Sequence, residues 1–320
     1  MNENVSVILD NTPAIRSRQT RLQSSVCILI ALTPALIWSC VYLGMRSLLI
    51  TLVCVLSCTV LEAVFQLVIS RKTSVLDLSG TVTGVLVAFT FPVGVPLYIP
   101  IVSCFAVTVI KDLLGKYTKG VINPIILSSL FVRIVWKAQT AHSYLGTNKL
   151  VNTENITDHL PITAIQNGEI PGESIFDLFF GNQTGNIGTI SVAMLLLGGI
   201  YLIAMKVISW QIPVGFLGSV LICTYLLSPS GLELGYTAAS VCTGGVVFGA
   251  IFLATYSFSS PVVPMARLVF GIGCGLMTVF LRAKTNAVSD VAVAILIMSL
   301  LTPVLDTLFA PTVFGKVKKR

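Results

Sequence analysis

The sequence predicts an all-α fold: a polytopic membrane protein of about ten transmembrane helices, in two inverted five-helix repeats with broken helices. Three observations predict it. First, 55% of the 320 residues are hydrophobic and only 10% are charged, against roughly 25% charged in soluble domains; mean hydropathy is +0.92. Second, the apolar residues come in runs of about 20, long enough for a helix to cross a bilayer, with basic residues at their ends. The apolar/polar alternation of a β-barrel is missing. Third, a glycine-led segment in the first half is echoed in the second.

Residues 1–21 are polar and carry Arg16, Arg18 and Arg21. They read as a cytoplasmic N-terminal arm, with no cleavable signal peptide expected. The first membrane repeat is expected over 22–138. Its first span, near 22–43, contains Pro34, and its second, near 47–69, holds Glu62 and ends at Arg71 and Lys72. The third, near 76–91, is rich in Ser, Thr and Gly, which permit close helix contact, and stops at Pro92-Val93-Gly94-Val95-Pro96. The fourth, 97–114, precedes Lys116 and Lys119; the fifth, 121–138, opens with Asn123-Pro124.

Residues 139–186 form a long polar interval with both histidines, His142 and His159, and the acids Glu154, Asp158, Glu169, Glu173 and Asp177. It is expected to be an extracytoplasmic loop. The second repeat follows over 187–310, with spans near 187–206, 212–228, 238–254, 265–281 and 288–309. A basic cytoplasmic tail, 311–320, carries Lys316, Lys318, Lys319 and Arg320. Basic residues then place both termini in the cytoplasm, although Arg282 and Lys284 fall on the opposite side.

The echo pairs Gly84–Thr90 with Gly249–Thr255. In both, a glycine is followed six residues later by a threonine, then a proline-containing break. The two segments point in opposite directions in this topology, the mark of an inverted repeat. Ionisable residues inside the spans are Glu62, Lys111, Asp112, Arg133, Lys137, Arg267, Asp290 and Asp306. Such groups face an interior or a pathway, or reach the interface from a helix end; Glu62 is the deepest. Gly245-x-x-x-Gly249 and Gly271-x-x-x-Gly275 read as helix-packing motifs rather than phosphate loops. The eight cysteines lie in or beside apolar runs without a Cys-x-x-Cys pair, so neither disulfides nor a metal site is expected. The net charge of +7 comes from span ends, so no nucleic-acid partner is expected.

Several motifs in serial order then point to a family. Phe248–Thr255, Ser260-Pro261 to Pro264, Arg267 to Gly271, Leu301 to Asp306 and Val313-Phe-Gly315 resemble the D subunit of Rnf-type ion-translocating electron transport complexes. The B subunit of the sodium-pumping NADH:quinone reductase is a relative. Val82 to Pro92, Leu114-Gly115 to Asn123-Pro124, and Asp177 to Gly188 look like the same family.

The resemblance implies a bacterial plasma-membrane subunit that passes electrons through flavin, coupled to ion movement. Its partners would be the other membrane subunits and the flavin and iron–sulfur subunits of an Rnf-like complex. It would be part of an oxidoreductase translocase, with no isolated activity expected. It also implies FMN, joined by a phosphoester to a threonine in the extracytoplasmic loop, in a pattern like Asp-x-x-Ser/Thr-Gly-Ala-Thr. Here that stretch is Thr157-Asp158-His159-Leu160-Pro161-Ile162-Thr163-Ala164, and the attachment position aligns with Leu160, which has no hydroxyl. Thr163 or Thr157 could serve with a shifted register, and a noncovalent flavin is a further expectation. Ile190 stands where the family has an acid, Tyr256-Ser257 where it has Asp-Pro, and Ser299 where it has Asn. Two alternatives stand beside the redox subunit: a non-redox scaffold of such a complex, and a small-solute transporter or channel.

Overall fold

The computed structural model describes residues 20–69, 77–114, 121–141, 160–227, 234–284 and 289–310. The expected N-terminal arm up to residue 19, the basic tail, the loops bearing Arg71, Lys72, Lys116 and Lys119, and Thr157, His142 and His159 lie outside the described residues. Among the described residues the regular structure is helical, with one isolated antiparallel bridge between Pro92 and Asn186.

The first half begins with α1 (Arg21–Leu43) and α2 (Met45–Ile69). Thr20 caps α1 in a capping box with Gln23, satisfying two backbone donors that a helix start leaves open. Pro34 has no N–H to offer the Ile30 carbonyl one turn back. The Thr33 hydroxyl donates to that carbonyl at 2.7 Å instead, which keeps the helix viable in lipid. Then come α3 (Ser79–Phe89) and α4 (Tyr98–Val109), which runs on as a wide π turn, Ile110–Leu114. Next are α5 (Pro124–Val135) and the short α6 (Lys137–Ala141). Asn123 caps α5, accepting from the Ile125 and Ile126 N–H groups.

Two short helices cross the central interval: α7 (Pro161–Gln166) and α8 (Ile175–Phe180). The second half contains α9 (Val192–Ala204), α10 (Gln211–Leu226), α11 (Leu234–Cys242) and α12 (Val246–Phe248), continued by a π turn, Gly249–Leu253. It closes with α13 (Pro264–Lys284), α14 (Asp290–Leu300) and α15 (Thr302–Leu308).

Among the described residues, three helices are long and apolar enough to cross a membrane: Arg21–Leu43, Met45–Val68 and Pro264–Lys284. Two bent pairs, Leu234–Cys242 with Val246–Leu253 (59°) and Asp290–Leu300 with Thr302–Leu308 (49°), bring the number to five if each pair is counted as one span. Shorter apolar helices, α3, α5, α9 and α10, complete a polytopic bundle. The halves interlock: α1 lies on α9, and Phe89 of α3 meets Phe248 of α12 with ring centroids 6.0 Å apart. Gly271 lets α13 approach α10 closely, since a Cβ there would lie 2.6 Å from the Ile212 carbonyl oxygen.

Several expected boundaries move. The third run is helical only over Ser79–Phe89, because Pro92 and Pro96 follow within a turn or two. The fifth span is interrupted at Trp136. The sixth starts at Val192; before it, Ile187 and Gly188 donate to the carbonyls of Phe91 and Phe89 at 3.0 and 3.2 Å. The eighth breaks at Thr243–Gly245, where Gly244 and Gly245 take positive φ of 67° and 73°, a conformation that costs residues with a Cβ. Gly245 is therefore a break residue and not half of a packing motif. The tenth bends at Leu301, just before Pro303. The described part of the central interval, from residue 160, is not uniformly exposed: Leu160, Pro161, Ile162, Ile165, Leu178 and Gln183 are buried.

Candidate functional site

Two polar sites lie at opposite ends of the bundle. The first is at the start of α1. The π turn after α4 carries Lys111 inward, where its ammonium meets Glu62 of α2 at 3.0 Å. The same ammonium donates to the Ser79 hydroxyl at 2.5 Å and reaches that of Thr83 at 3.5 Å. Gln66 donates to the same Glu62 oxygen at 3.4 Å. The side chains are only 14% and 11% exposed, so each charge has lost much of its hydration, a cost of several kcal/mol per ion. The pairing and the hydroxyls offset that cost. Gly80 leaves the room: a Cβ there would stand 2.7 Å from Glu62 Oε2. Beside the pair opens a cavity of about 600 Å3, lined by Arg21, Asp77, Asp112 and Tyr256 among others. Tyr256, which stands where the resemblance expects an acid, thus faces a lysine–glutamate pair.

The second site is at the end of α1, where the Tyr42 hydroxyl donates to Asn182 Oδ1 at 2.5 Å. Here the central interval folds between the two halves. Gln183 Nε2 lies 2.9 Å from the Ile190 carbonyl and 3.3 Å from those of Leu178 and Cys242, tying the interval to α11. Ile190, the second departure from the family pattern, is 1% exposed, so its side chain fills the core. Arg133 donates to the Thr90 carbonyl at 2.5 Å and to Asn186 Oδ1 at 3.3 Å. A cation thereby meets the electronegative C-terminus of α3.

Arg282, on the same side, is 4% exposed. Its Nε pairs with Asp290 at 2.6 Å, and Nη1 donates to the carbonyl and hydroxyl of Ser240 at 2.7 and 2.9 Å. Asp306, another ionisable candidate, accepts from the Val262 and Val263 N–H groups at 3.0 and 3.2 Å; it caps the start of α13. Cys54, Cys58 and Cys104 are buried, and all eight cysteines are free thiols. Among the described residues no group of three or more His, Cys, Asp or Glu is placed to hold a metal ion.

The sequence model of the NQR2, RnfD, RnfE family matches residues 8–315. The chain belongs to that family. It is 32% identical over 326 residues to the D subunit of the Na(+)-translocating ferredoxin:NAD(+) oxidoreductase complex of Acetobacterium woodii, covering 100% of this chain and 99% of the relative. It is 28% identical to the D subunit of the proton-translocating ferredoxin:NAD(+) oxidoreductase complex of Clostridium ljungdahlii, over 96% of each chain. It is also 28% identical to the B subunit of the Na(+)-translocating NADH-quinone reductase of Pseudoalteromonas atlantica, over 75% of this chain and 60% of the relative. A multi-pass membrane protein of the NQR2, RnfD, RnfE family is what the helices and the family together describe.

Among the described residues, neither Leu160 nor Thr163 fits an esterified flavin; Thr157 lies outside them. Leu160, at the aligned position, is 5% exposed and carries no oxygen in its side chain. The Thr163 hydroxyl is engaged, donating to the Leu160 carbonyl at 2.7 Å. The cavity beside Leu160 holds about 30 Å3, and a neighbouring one lined by Thr90, Arg133 and Asn186 about 50 Å3. Those volumes suit one or two waters, whereas organic ligands occupy roughly 300 Å3 or more. Sequence reading singled out Leu160 and Glu62. It missed Lys111 as the partner of Glu62, and the role of Gln183. A lysine near a span end gives no sign of whether it snorkels or turns inward.

Proposed function

We propose that the chain is a membrane subunit of an Rnf-type ion-translocating ferredoxin:NAD oxidoreductase complex, built as ten spans in two inverted repeats with both termini in the cytoplasm. The single observation that carries the ion-coupling part is the Glu62–Lys111 pair beside a cavity of about 600 Å3. Ionisable residues inside a membrane protein are costly and commonly mark ion pathways, which is what favours this pair as the coupling site. A cation entering the cavity competes with Lys111 for the Glu62 carboxylate, so occupancy and pairing are linked. Full-length similarity to the D subunits of complexes from two bacteria supports a place in a multi-subunit complex; membrane, flavin and iron–sulfur subunits are the partners that the resemblance implies.

Geometry across the halves supports the repeat. Asn123, at the start of α5, donates to the Leu253 carbonyl at the end of the second π turn at 2.9 Å. In the place related by the pseudo-two-fold axis, Ser289 and Val291 at the start of α14 line a cavity with Thr90 at the end of α3. Thr90 and Thr255, the echoed threonines, each turn the hydroxyl back onto the preceding helical turn, to Val87 and Ile251. The pairing of Arg282 with Asp290 also removes it as an uncompensated charge against this orientation.

A tagged chain, expressed with its neighbouring subunits, is expected to bring down a complex with ferredoxin:NAD activity. Glu62→Gln is expected to leave assembly intact and cut ion transport per electron at least tenfold. A chain that purifies alone from such cells sinks the reading. The scaffold reading has one observation in its favour, the leucine at position 160, and predicts assembly without any dependence of transport on Glu62.

A further inference from the structure

Resting on the reading of this chain as a family subunit, we infer that the position where the resemblance places a flavin phosphoester is here an unmodified apolar cap, and that Leu160 is the residue excluding the modification. Attachment needs a hydroxyl oxygen to displace the nucleotide half of a flavin dinucleotide. The side-chain O–P bond forms, the pyrophosphate bond breaks, the nucleotide monophosphate leaves and the hydroxyl proton passes to solvent. The Leu160 side chain has no atom that can do this.

The local backbone does not call for leucine. Leu160 is the N-cap of α7, with φ −69° and ψ 128°, and makes no side-chain cap. Ser, Thr, Asp and Asn are favoured at such positions because they bond the open N–H groups. Leucine stands there for burial instead. Leu160, Ile162 and Ile165 are 5%, 4% and 2% exposed. Ile162 packs at Gly244, in the break between α11 and α12, where a Cβ would lie 2.6 Å from both Ile162 Cδ1 and Arg282 Nη2. The Ile165 carbonyl accepts from the Tyr236 hydroxyl at 3.0 Å. One short segment thus packs against the broken helix of the second half, with a cavity of about 30 Å3 at Leu160 to Ile162 and one of about 270 Å3 at Ile165 to Gly168.

Thr163 does not replace the lost oxygen. Its hydroxyl is partly buried and bonded to the Leu160 carbonyl, so esterification would have to break that bond and turn the side chain out of the packed segment. With the segment unmodified, electrons crossing the complex do not stop on it.

The test uses the full chain, tagged in its complex and produced in cells that contain an active flavin transferase. The denatured chain is examined by intact mass and in-gel fluorescence. The unmodified mass and a dark band are expected. A mass increased by one esterified flavin mononucleotide overturns the inference, and Thr163→Ala and Thr157→Ala then locate the ester. The quadruple variant Glu154→Asp, Asp158→Gly, His159→Ala, Leu160→Thr restores the family pattern and is expected to gain that mass. If it stays dark where a family member with the complete pattern is labelled in the same cells, Leu160 is not what excludes the flavin. Loss of the partner subunits would instead count against the proposed function and leave the mass reading untouched.

Discussion

At the scale of single residues, buried charge has the greatest leverage on stability. Arg282 and Asp290 are 4% and 1% exposed and pair at 2.6 Å. Removing one partner strands the other in a dry interior, at about 3–5 kcal/mol. Replacing both with apolar side chains of similar size can be neutral. Arg282→Met alone is therefore expected to cost about 3–5 kcal/mol, and Arg282→Met with Asp290→Leu to recover most of it. Reversible unfolding in mixed micelles measures both; equal losses for the single and double variants would show that the pair is not the source. Lys111 follows the same logic with a functional edge, because its hydroxyl partners Ser79 and Thr83 lie on α3 and its carboxylate partner on α2.

At the scale of elements, the helices end where backbone groups find other partners. Pro34 is tolerated because Thr33 supplies the donor that proline lacks. The α13 N-terminus is capped by Asp306, which comes from α15. Asp306→Ala is expected to cost about 1 kcal/mol, the usual worth of an N-cap, and to speed amide exchange at Val262 and Val263 before the rest of α13. Uniform exchange along the helix would remove Asp306 from that role. The break between α11 and α12 depends on Gly244. Gly244→Ala must adopt φ near 67° and sets a Cβ 2.6 Å from Arg282 Nη2, so it is expected to destabilise by about 1–2 kcal/mol from the left-handed backbone alone. The same unfolding assay reads it; an unchanged midpoint would mean that the break is not held in this conformation.

At the scale of the whole molecule, two halves of short and broken helices close on each other through α1 with α9, α3 with α12, and α5 with the second π turn. The proposed orientation makes a direct prediction. An impermeant maleimide is expected to label Thr147→Cys on intact cells, and Lys318→Cys only after permeabilisation. The reverse pattern would invert the topology and put the Glu62–Lys111 cavity on the outer face.

Much of this was legible in the chain because lipid imposes simple rules. Apolar length and basic flanks determine that the protein is helical and multi-pass, and the Gly-to-Thr echo marks the two segments that end in breaks. The identity of residue 160 alone determines that no ester can form there. Other features depend on partners far apart in sequence. Nothing near Lys111 says that it meets Glu62, 49 residues away, rather than water. Arg282 looked like a loop charge until Asp290 and Ser240 came beside it. The polar interval after residue 139 looked solvated, yet Leu160, Ile162, Ile165 and Gln183 are core. Local pattern therefore decides where helices lie, because each helix satisfies its own backbone. Only the tertiary structure decides which buried charges and apolar caps are paired, because those energies belong to contacts between helices.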